Sequence, residues 1–310
     1  MGVDRSLLRA VAESGGGVLD LADLARVGLS PSDVGRLIRD GVLERVHRGS
    51  YRLPDAGEHP VQRFHAAVWS LRRREGSRVL AGPAALSVLG LPLLGHEHDL
   101  HVACEPRNVP SARSLMTGVA LPPTDQLVIA DGSLVCGAAR AALDTARFES
   151  VEAGVIAADA ALRRGLITQA ELDAALDTMG GLHGVGRARL CCELAHPKSE
   201  SPGESWSAVV MHQHRMPRPE RQESFTDARG LVGRADFWWP EQLVVGEFDG
   251  KVKYGRTNPS GRPPEDVLWD EKVREDRLRA IGLHVVRWTT ADLYHPREWI
   301  RRLVVALRQH

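Results

Sequence analysis

The segment LVVGEFDGKVKY, residues 243 to 254, joins an apolar start to charged residues at every second position. Glu247, Asp249 and Lys251 follow this alternation. Because a strand directs residues i, i+2 and i+4 to one face, the three charged groups are expected to share a face at a strand end. Two carboxylates on one face repel each other unless a cation or hydrogen-bond donors hold them. The segment therefore predicts a strand that ends in a carboxylate site, most simply a metal site.

The surrounding segments predict two further acids at the same place. Glu204 lies in the first turn of a helix that begins at Ser201 or Pro202, and Asp236 lies in the middle strand of a meander. The meander is expected to bring Asp236 beside Asp249. The predicted strands of the meander cover residues 221–226, 233–239 and 242–249, and a helix (267–282), a strand (284–289) and a last helix (296–309) follow.

This order of motifs resembles the PD-(D/E)xK nuclease superfamily, and within it the very-short-patch-repair-like endonuclease branch. The resemblance covers residues 200–308 and rests on ADFWWP, GEFDGKVKY and EKVREDRLRAIGLHVVRWT. It implies hydrolysis of DNA phosphodiesters with Mg²⁺ or Mn²⁺ as cofactor. It also implies Asp236, Glu247 and Asp249 as metal ligands, and leaves open whether Glu247 or Asp249 binds the metal directly.

The same resemblance assigns roles to three more residues. Lys251 is expected at the attacking water or the scissile phosphate, and Glu204 in the metal shell, directly or through water. Arg274, one turn from Glu271 on the closing helix, is expected to contact phosphate. An ordinary surface ion pair explains Glu271 and Arg274 equally well.

The alternative for the acids is a solvated strand end that prevents edge pairing. The stretch LVVGEF is too apolar for an exposed edge, which favours an internal strand and a built site. Four tryptophans of this region are expected in the core rather than as base-stacking surfaces: Trp238, Trp239, Trp269 and Trp288.

Residues 4–53 predict three helices and a two-stranded hairpin. Asp20 and Ser30 stand where helix N-caps are expected, and GLSPS separates two short helices at helix-turn-helix spacing. Residues 36 to 52 contain five arginines and two acids, a local excess of three positive charges. We expect DNA phosphate contacts from Arg36 and Arg39 on the second of these helices and from Arg45, Arg48 and Arg52 on the wing.

The stretch LADLARVGLSPSDVGRLIRDGVLERVHRGSYRLP, residues 21 to 54, resembles the N-terminal domain of the abortive-infection type IV antitoxin family. The resemblance implies DNA binding, often at the protein's own promoter, and does not imply catalysis. A cognate toxin or another protein stays open as a further partner. Binding of a protein partner by the winged helix is the alternative.

Bulk properties limit the remaining choices. A chain of 310 residues predicts two or three domains. Zero net charge requires any nucleic-acid surface to be local, and no apolar run is long enough to span a bilayer. The missing apolar run predicts that the protein has no membrane partner. Four cysteines without CxxC spacing predict a reduced, cytoplasmic protein.

Together these features predict a mixed α/β (α+β) multidomain chain. Its expected parts are a winged helix-turn-helix at residues 1–55, an antitoxin-like α/β and helical connector at 56–195 and a restriction-endonuclease-like α/β core at 196–310. The predicted function is DNA binding with metal-dependent endonuclease-like activity, in defence, repair or a toxin–antitoxin system. The alternative is a non-catalytic transcriptional regulator or antitoxin that retains a nuclease fold. A protein-interaction scaffold is a third, which the local arginine excess disfavours.

Overall fold

The computed structural model describes most of the chain and confirms a mixed α/β, multidomain architecture. In the described part there are three separate sheets and thirteen α-helices. Lys251 and Arg48 lie outside the described residues. The described residues are 4–14, 17–47, 49–54, 60–72, 78–95, 98–104, 116–120, 122–250 and 264–309.

The N-terminal unit contains the three helices and the hairpin that the sequence predicts. Asp20 and Ser30 accept hydrogen bonds from the backbone of the third helical residue, and an acid there bonds back to each cap. A short strand β1 adds to the hairpin, so that the sheet order is β1-β3-β2. The elements are α1 (Arg5–Ser14), β1 (Leu19–Asp20), α2 (Leu21–Arg26), α3 (Pro31–Arg39), β2 (Glu44–His47) and β3 (Ser50–Arg52).

The middle unit is a five-stranded sheet, of order β6-β5-β4-β8-β7, packed with helices. The strands β4, β7 and β8 are only two to four residues long, too short to leave a clear alternating pattern in the sequence. The helices are α4 (Pro60–Arg72), α5 (Gly82–Val88), α6 (Ala138–Phe148), α7 (Val151–Arg163), α8 (Gln169–Asp177) and α9 (Val185–Leu194). The strands are β4 (Val79–Leu80), β5 (Leu100–Cys104), β6 (Met116–Ala120), β7 (Leu127–Ala130) and β8 (Ser133–Cys136).

The C-terminal unit has the predicted order of helix, three-strand meander, helix and strand. The strands β9, β10 and β11 are antiparallel neighbours, and β12 pairs in parallel with β11, so that β11 is internal as its apolar sequence indicates. The elements are α10 (Pro202–Gln213), β9 (Glu220–Asp227), β10 (Gly230–Trp239), β11 (Val244–Asp249), α11 (Pro264–Ala280), β12 (His284–Thr289), α12 (Thr290–Tyr294) and α13 (Arg297–Arg308).

Tryptophans fill the core on one face of this sheet. Trp288 stacks on Trp299 with ring centroids 4.5 Å apart, and Trp239 is also buried. Trp269 is wrongly predicted as a core residue, because its side chain on α11 is 65% exposed.

Helix α10 joins the middle and C-terminal units. Val209 belongs to the core of the middle unit, whereas its neighbours Val210 and Met211 belong to the core of the C-terminal sheet. Successive residues of a helix point about 100° apart, so one helix contributes to two cores at once. The two units therefore share a structural element.

The polar stretch 196–205, at the junction of the middle and C-terminal units, is packed against α7. Asp159 of α7 is fully buried and accepts a hydrogen bond from the backbone nitrogen of His196 at 2.7 Å. Ser199 is also fully buried, and its hydroxyl accepts a hydrogen bond from Arg221 of β9 at 2.8 Å. Burial raises the pKa of Asp159 to about 6. The junction is thus a polar buried contact.

All four cysteines are free thiols, as the sequence indicates. Across the described residues, every helix is too short or too polar to cross a membrane.

We expect Asp159→Asn to gain stability relative to the wild type as the pH rises. The raised pKa means that the stabilising contribution of the protonated carboxyl is complete below about pH 3.8 and is lost as the pH rises through about 6. The free energy of unfolding of Asp159→Asn relative to that of the wild type should therefore rise with pH, by at most about 3 kcal/mol near neutrality. Thermal unfolding at a series of pH values measures it. Asp125→Asn, at an exposed acid, is the control, and two variants with the same pH dependence would contradict the assignment.

Candidate functional site

Three of the predicted acids, Glu204, Asp236 and Glu247, lie near one another on the C-terminal sheet and the start of α10, whereas the predicted place of Asp249 beside Asp236 stays a prediction. The antiparallel pair Phe237 and Gly246 places Asp236 of β10 opposite Glu247 of β11. The backbone nitrogen of Phe248 donates to Asp236 Oδ2 at 2.8 Å, which ties the two strands together at this point. Residues directly opposite each other in an antiparallel pair share a face, so Asp236 and Glu247 lie side by side.

Glycine at position 203 lets the first turn of α10 approach this sheet. A Cβ atom on Gly203 would lie 2.0 Å from the half-buried ring of Phe248, so the ring or the helix would have to move. The close approach brings the next residue, Glu204, to the site, where its charge acts on Asp236. The predicted contribution of Glu204 from the helix thus depends on a glycine.

Glu204 is almost buried and fully hydrogen-bonded. Its Oε1 accepts from the Ser201 hydroxyl at 2.8 Å, and its Oε2 accepts from the backbone nitrogen of Glu200 at 2.8 Å. Oε2 also accepts from Gln222 Nε2 at 2.8 Å. Part of the role of Glu204 is therefore to fix the start of α10, as acids in a first helical turn commonly do.

Burial, and after it the negative charge of its neighbours, makes Asp236 hard to ionise. Burial is the main cause that raises the pKa of Asp236 to about 6, and the charges of Glu204 and Glu247 raise it further. The hydrogen bonds from Phe248 and Gln222 act in the opposite direction. Carboxylates in this state favour a cation or a proton among them.

Two arginines already neutralise Glu247. Arg274 of α11 donates to both carboxylate oxygens at 2.7 Å, the bidentate geometry of a strong charge-assisted pair. Arg287, the register partner of Glu247 on β12, places Nη2 2.9 Å from Oε2. Arg287 also pairs with Glu271 at 2.9 Å. In this conformation Arg274 is therefore hydrogen-bonded to Glu247. Its contact with a phosphate stays a prediction.

Asp249 has an oxygen ready for a ligand. Its Oδ1 is buried and has no hydrogen-bond partner among the described residues. An unsatisfied buried carboxylate oxygen is costly, so it indicates a missing partner. Lys251, two residues further on, is the expected neighbour but lies outside the described residues.

The donor set fits a hydrated Mg²⁺ more closely than a metal cage made by the protein. No three His, Cys, Asp or Glu side chains of the described ranges gather closely enough to form a preassembled metal centre. Mg²⁺ usually keeps several waters and uses only one or two carboxylates. Asp249, with its unpartnered oxygen, and Asp236, with its raised pKa, suit that role, whereas Glu247 is neutralised by arginine. Metal binding by Asp236, Glu247 and Asp249 together stays a prediction.

Two residues of the site were not predicted. Gln222 of β9 contacts Glu204 and Asp236, and Arg287 of β12 contacts Glu247. A signal existed for Arg287, the one charged side chain amid the apolar residues of HVVRWT. No comparable signal exists for Gln222, because a glutamine is ordinary in an alternating strand.

The N-terminal arginines divide into exposed and buried ones. Arg36 and Arg39 of α3 and Arg45 of β2 are exposed, as phosphate contacts require. Arg52 is a correction to the prediction: its residue is only 4% exposed, and its Nε donates to Glu44 at 2.8 Å across the hairpin. Arg52 therefore stabilises the wing rather than presenting charge to solvent. Arg48 lies outside the described residues.

We expect Arg274→Ala to destabilise the C-terminal unit by about 1–3 kcal/mol, since it removes two charge-assisted hydrogen bonds from a nearly buried carboxylate. Arg287 remains as a second partner and keeps the loss moderate. Chemical denaturation measures the change. Arg301→Ala, which removes an exposed pair with Glu298, is the control with little expected effect. Equal effects of the two substitutions would contradict a special role for Arg274.

Comparison with known proteins finds a described family for the N-terminal unit and two uncharacterised relatives over most of the chain. Residues 6–54 match the family described as "Transcriptional regulator, AbiEi antitoxin". Over 266 residues the chain is 26% identical to "Uncharacterized protein MT2308" of Mycobacterium tuberculosis strain CDC 1551 / Oshkosh and to "Uncharacterized protein Rv2248" of strain H37Rv. These alignments cover 83% of this chain and 89% of each relative, too long to fit within residues 1–195. The N-terminal unit is thus similar to antitoxin-type, DNA-binding transcriptional regulators, and the two mycobacterial relatives also share part of the middle and C-terminal units.

Proposed function

We propose that this chain is a DNA-binding transcriptional regulator of the antitoxin type, with α3 and the β2–β3 hairpin as the DNA-contacting surface. The observation that carries the proposal is the family match of residues 6–54 to such regulators. The exposed arginines Arg36, Arg39 and Arg45 of the same unit support it.

The charge distribution fits local binding to phosphates. The whole chain has no net charge, so long-range attraction of DNA to the protein as a whole is weak. Arg36 is exposed on α3, and its pair with Asp33 at 2.8 Å is a surface pair that a phosphate readily replaces. Binding through a few arginines releases counterions from DNA and makes the affinity strongly dependent on salt.

We expect the variant Arg36→Ala, Arg39→Ala, Arg45→Ala to bind duplex DNA more weakly than the wild type at low salt. Each lost phosphate contact should reduce the slope of log affinity against log salt by about one. Fluorescence anisotropy with a labelled duplex from upstream of the protein's own coding sequence, and with a scrambled duplex, measures both effects.

Arg229→Ala is the matched control, since this exposed arginine lies in the β9–β10 turn of the C-terminal unit. Its affinity and salt slope should stay at the wild-type values. A folded wild type that binds neither duplex, or a triple variant that binds as the wild type does, would argue for a winged helix that binds a protein partner, such as a cognate toxin.

The C-terminal unit supports a second candidate function, metal-dependent hydrolysis of phosphodiesters. The specific observation is the buried Oδ1 of Asp249, which has no hydrogen-bond partner among the described residues. Asp249 follows Glu247 by two residues on β11, and Glu247 acts on Asp236, whose pKa is raised to about 6. Surplus negative charge with an open oxygen ligand is the environment that a divalent cation stabilises.

In that function the residues have separable roles. Asp236 and Asp249 would hold the ion, and Glu204 would fix α10 against the sheet and add negative charge. Arg274 and Arg287 orient Glu247 and limit repulsion among the acids. When bound, Mg²⁺ would neutralise phosphate charge and lower the pKa of a coordinated water. Lys251, outside the described residues, is proposed to stabilise the phosphate as charge develops.

For this candidate we expect the wild type to nick supercoiled plasmid only when Mg²⁺ or Mn²⁺ is present. Asp249→Ala and Lys251→Ala should abolish nicking, since each removes a group proposed to act on the ion or the phosphate. Gel electrophoresis of plasmid over a time course measures it.

Asp276→Asn, at an exposed acid of α11, is the matched control and should nick as the wild type does. Intact plasmid with unchanged, salt-sensitive DNA binding would leave the regulator as the function. The acids would then be a structural feature of a fold that no longer cuts.

A further inference from the structure

Gln222 departs from strand geometry in the middle of β9. Its φ angle is +58°, although Arg221 and Glu223 on either side pair in register with Phe237 and Ala235 of β10. Residues other than glycine are uncommon in this left-handed region and cost free energy there. Such an outlier within an otherwise paired strand points to a role for the side chain that it carries.

The side chain of Gln222 lies between two carboxylates from different elements. Its Nε2 donates to Glu204 Oε2 of α10 at 2.8 Å and to Asp236 Oδ1 of β10 at 3.2 Å. The two N–H bonds of one amide group thus serve two acids that repel each other. In the register of β9 and β10, position 222 lies opposite Asp236, so the distorted residue and the acid that it binds face each other.

The neutrality of the amide distinguishes this contact from the arginine contacts nearby. Glu247 is held by two guanidinium groups, which neutralise its charge. Gln222 satisfies hydrogen bonds but leaves the charges of Glu204 and Asp236 in place. A structural bridge alone is served as well by arginine or lysine, whereas a site that must stay negative needs a neutral donor.

We propose that Gln222 is a positioning residue of the carboxylate site, which fixes Glu204 and Asp236 beside each other without neutralising them. The role deepens the second candidate function and rests on it. The charged groups of the described residues that act on Asp236 are Glu204 from α10, Glu247 from β11, Arg221 from β9 and Arg274 from α11. Gln222 contacts Glu204 and Asp236 without adding a charge to this set.

Three variants of Gln222 and one control distinguish the effect of its side-chain amide from the effect of its left-handed backbone. Gln222→Leu keeps a similar size and removes the donors, and Gln222→Glu replaces them with a third negative charge. Gln222→Asn keeps an amide and suits the left-handed backbone, but is one methylene too short to reach both acids. Ser224→Ala, at an exposed position of the same strand, is the control.

The bridge is tested in full-length protein labelled with ¹⁵N-glutamine. In the wild type, the side-chain amide of Gln222, identified by its loss in Gln222→Leu, should exchange with solvent at least about tenfold more slowly than that of exposed glutamines, because one hydrogen bond of roughly 1.4 kcal/mol corresponds to a factor of ten. Glu204→Gln and Asp236→Asn should each shift its signals, and Ser224→Ala should not. An amide that exchanges like the exposed ones and ignores both acid substitutions would overturn the proposal.

Plasmid nicking then tests the positioning role. Gln222→Leu and Gln222→Asn should lower kcat by about 10²-fold, the effect of a small misplacement of reacting groups, with KM nearly unchanged. A variant with wild-type kcat would overturn the positioning role, even with the bridge intact. If the wild type does not nick, the second candidate function fails, and the amide exchange measurement still decides whether Gln222 holds the two acids.

Discussion

Repulsion among carboxylates is the constraint around which the C-terminal unit is organised. Glu204 and Glu247 act on Asp236 from two other elements, and Asp249 follows Glu247 by two residues on β11. Burial at this place weakens solvation of charge. Each acid is stabilised differently. Arginines neutralise Glu247. Backbone and hydroxyl groups at the start of α10 donate hydrogen bonds to Glu204. A backbone N–H and a side-chain amide donate hydrogen bonds to Asp236. Of these four acids, only Asp249 has a buried oxygen without a hydrogen-bond partner among the described residues.

The position of the acids also depends on the middle unit, because α10 packs against both units. This helix contributes Val209 to one core and Val210 and Met211 to the other, and it begins with the turn that carries Glu204. Its start is fixed from the other side by the buried stretch around Ser199, which Arg221 and the Asp159 region hold. The acid site therefore depends on packing between two units, and a C-terminal fragment without α7 would lose part of that support.

The two candidate functions belong to different parts of one chain and do not exclude each other. A DNA-binding unit concentrates any activity of the C-terminal unit on DNA, because a tethered domain works at a high effective concentration. A nuclease-like fold of the C-terminal unit stays a prediction, and a fold does not by itself imply catalysis, because one fold serves many functions. At that site the arginines on Glu247 favour a stable structure, and the open oxygen of Asp249 favours a ligand.

The sequence by itself determined the helices, the hairpin, the meander and the internal position of β11, because capping residues, periodicity and apolar runs are local signals. It also indicated that Glu204 and Asp236 come close together, whereas a place for Asp249 beside Asp236 stays a prediction. The tertiary structure alone decided the partners. The hairpin register places Arg52 opposite Glu44 and buries it, the parallel register places Arg287 beside Glu247, and a distorted backbone turns Gln222 toward two acids. These pairings depend on residues far apart in the chain, whose contacts no local pattern encodes.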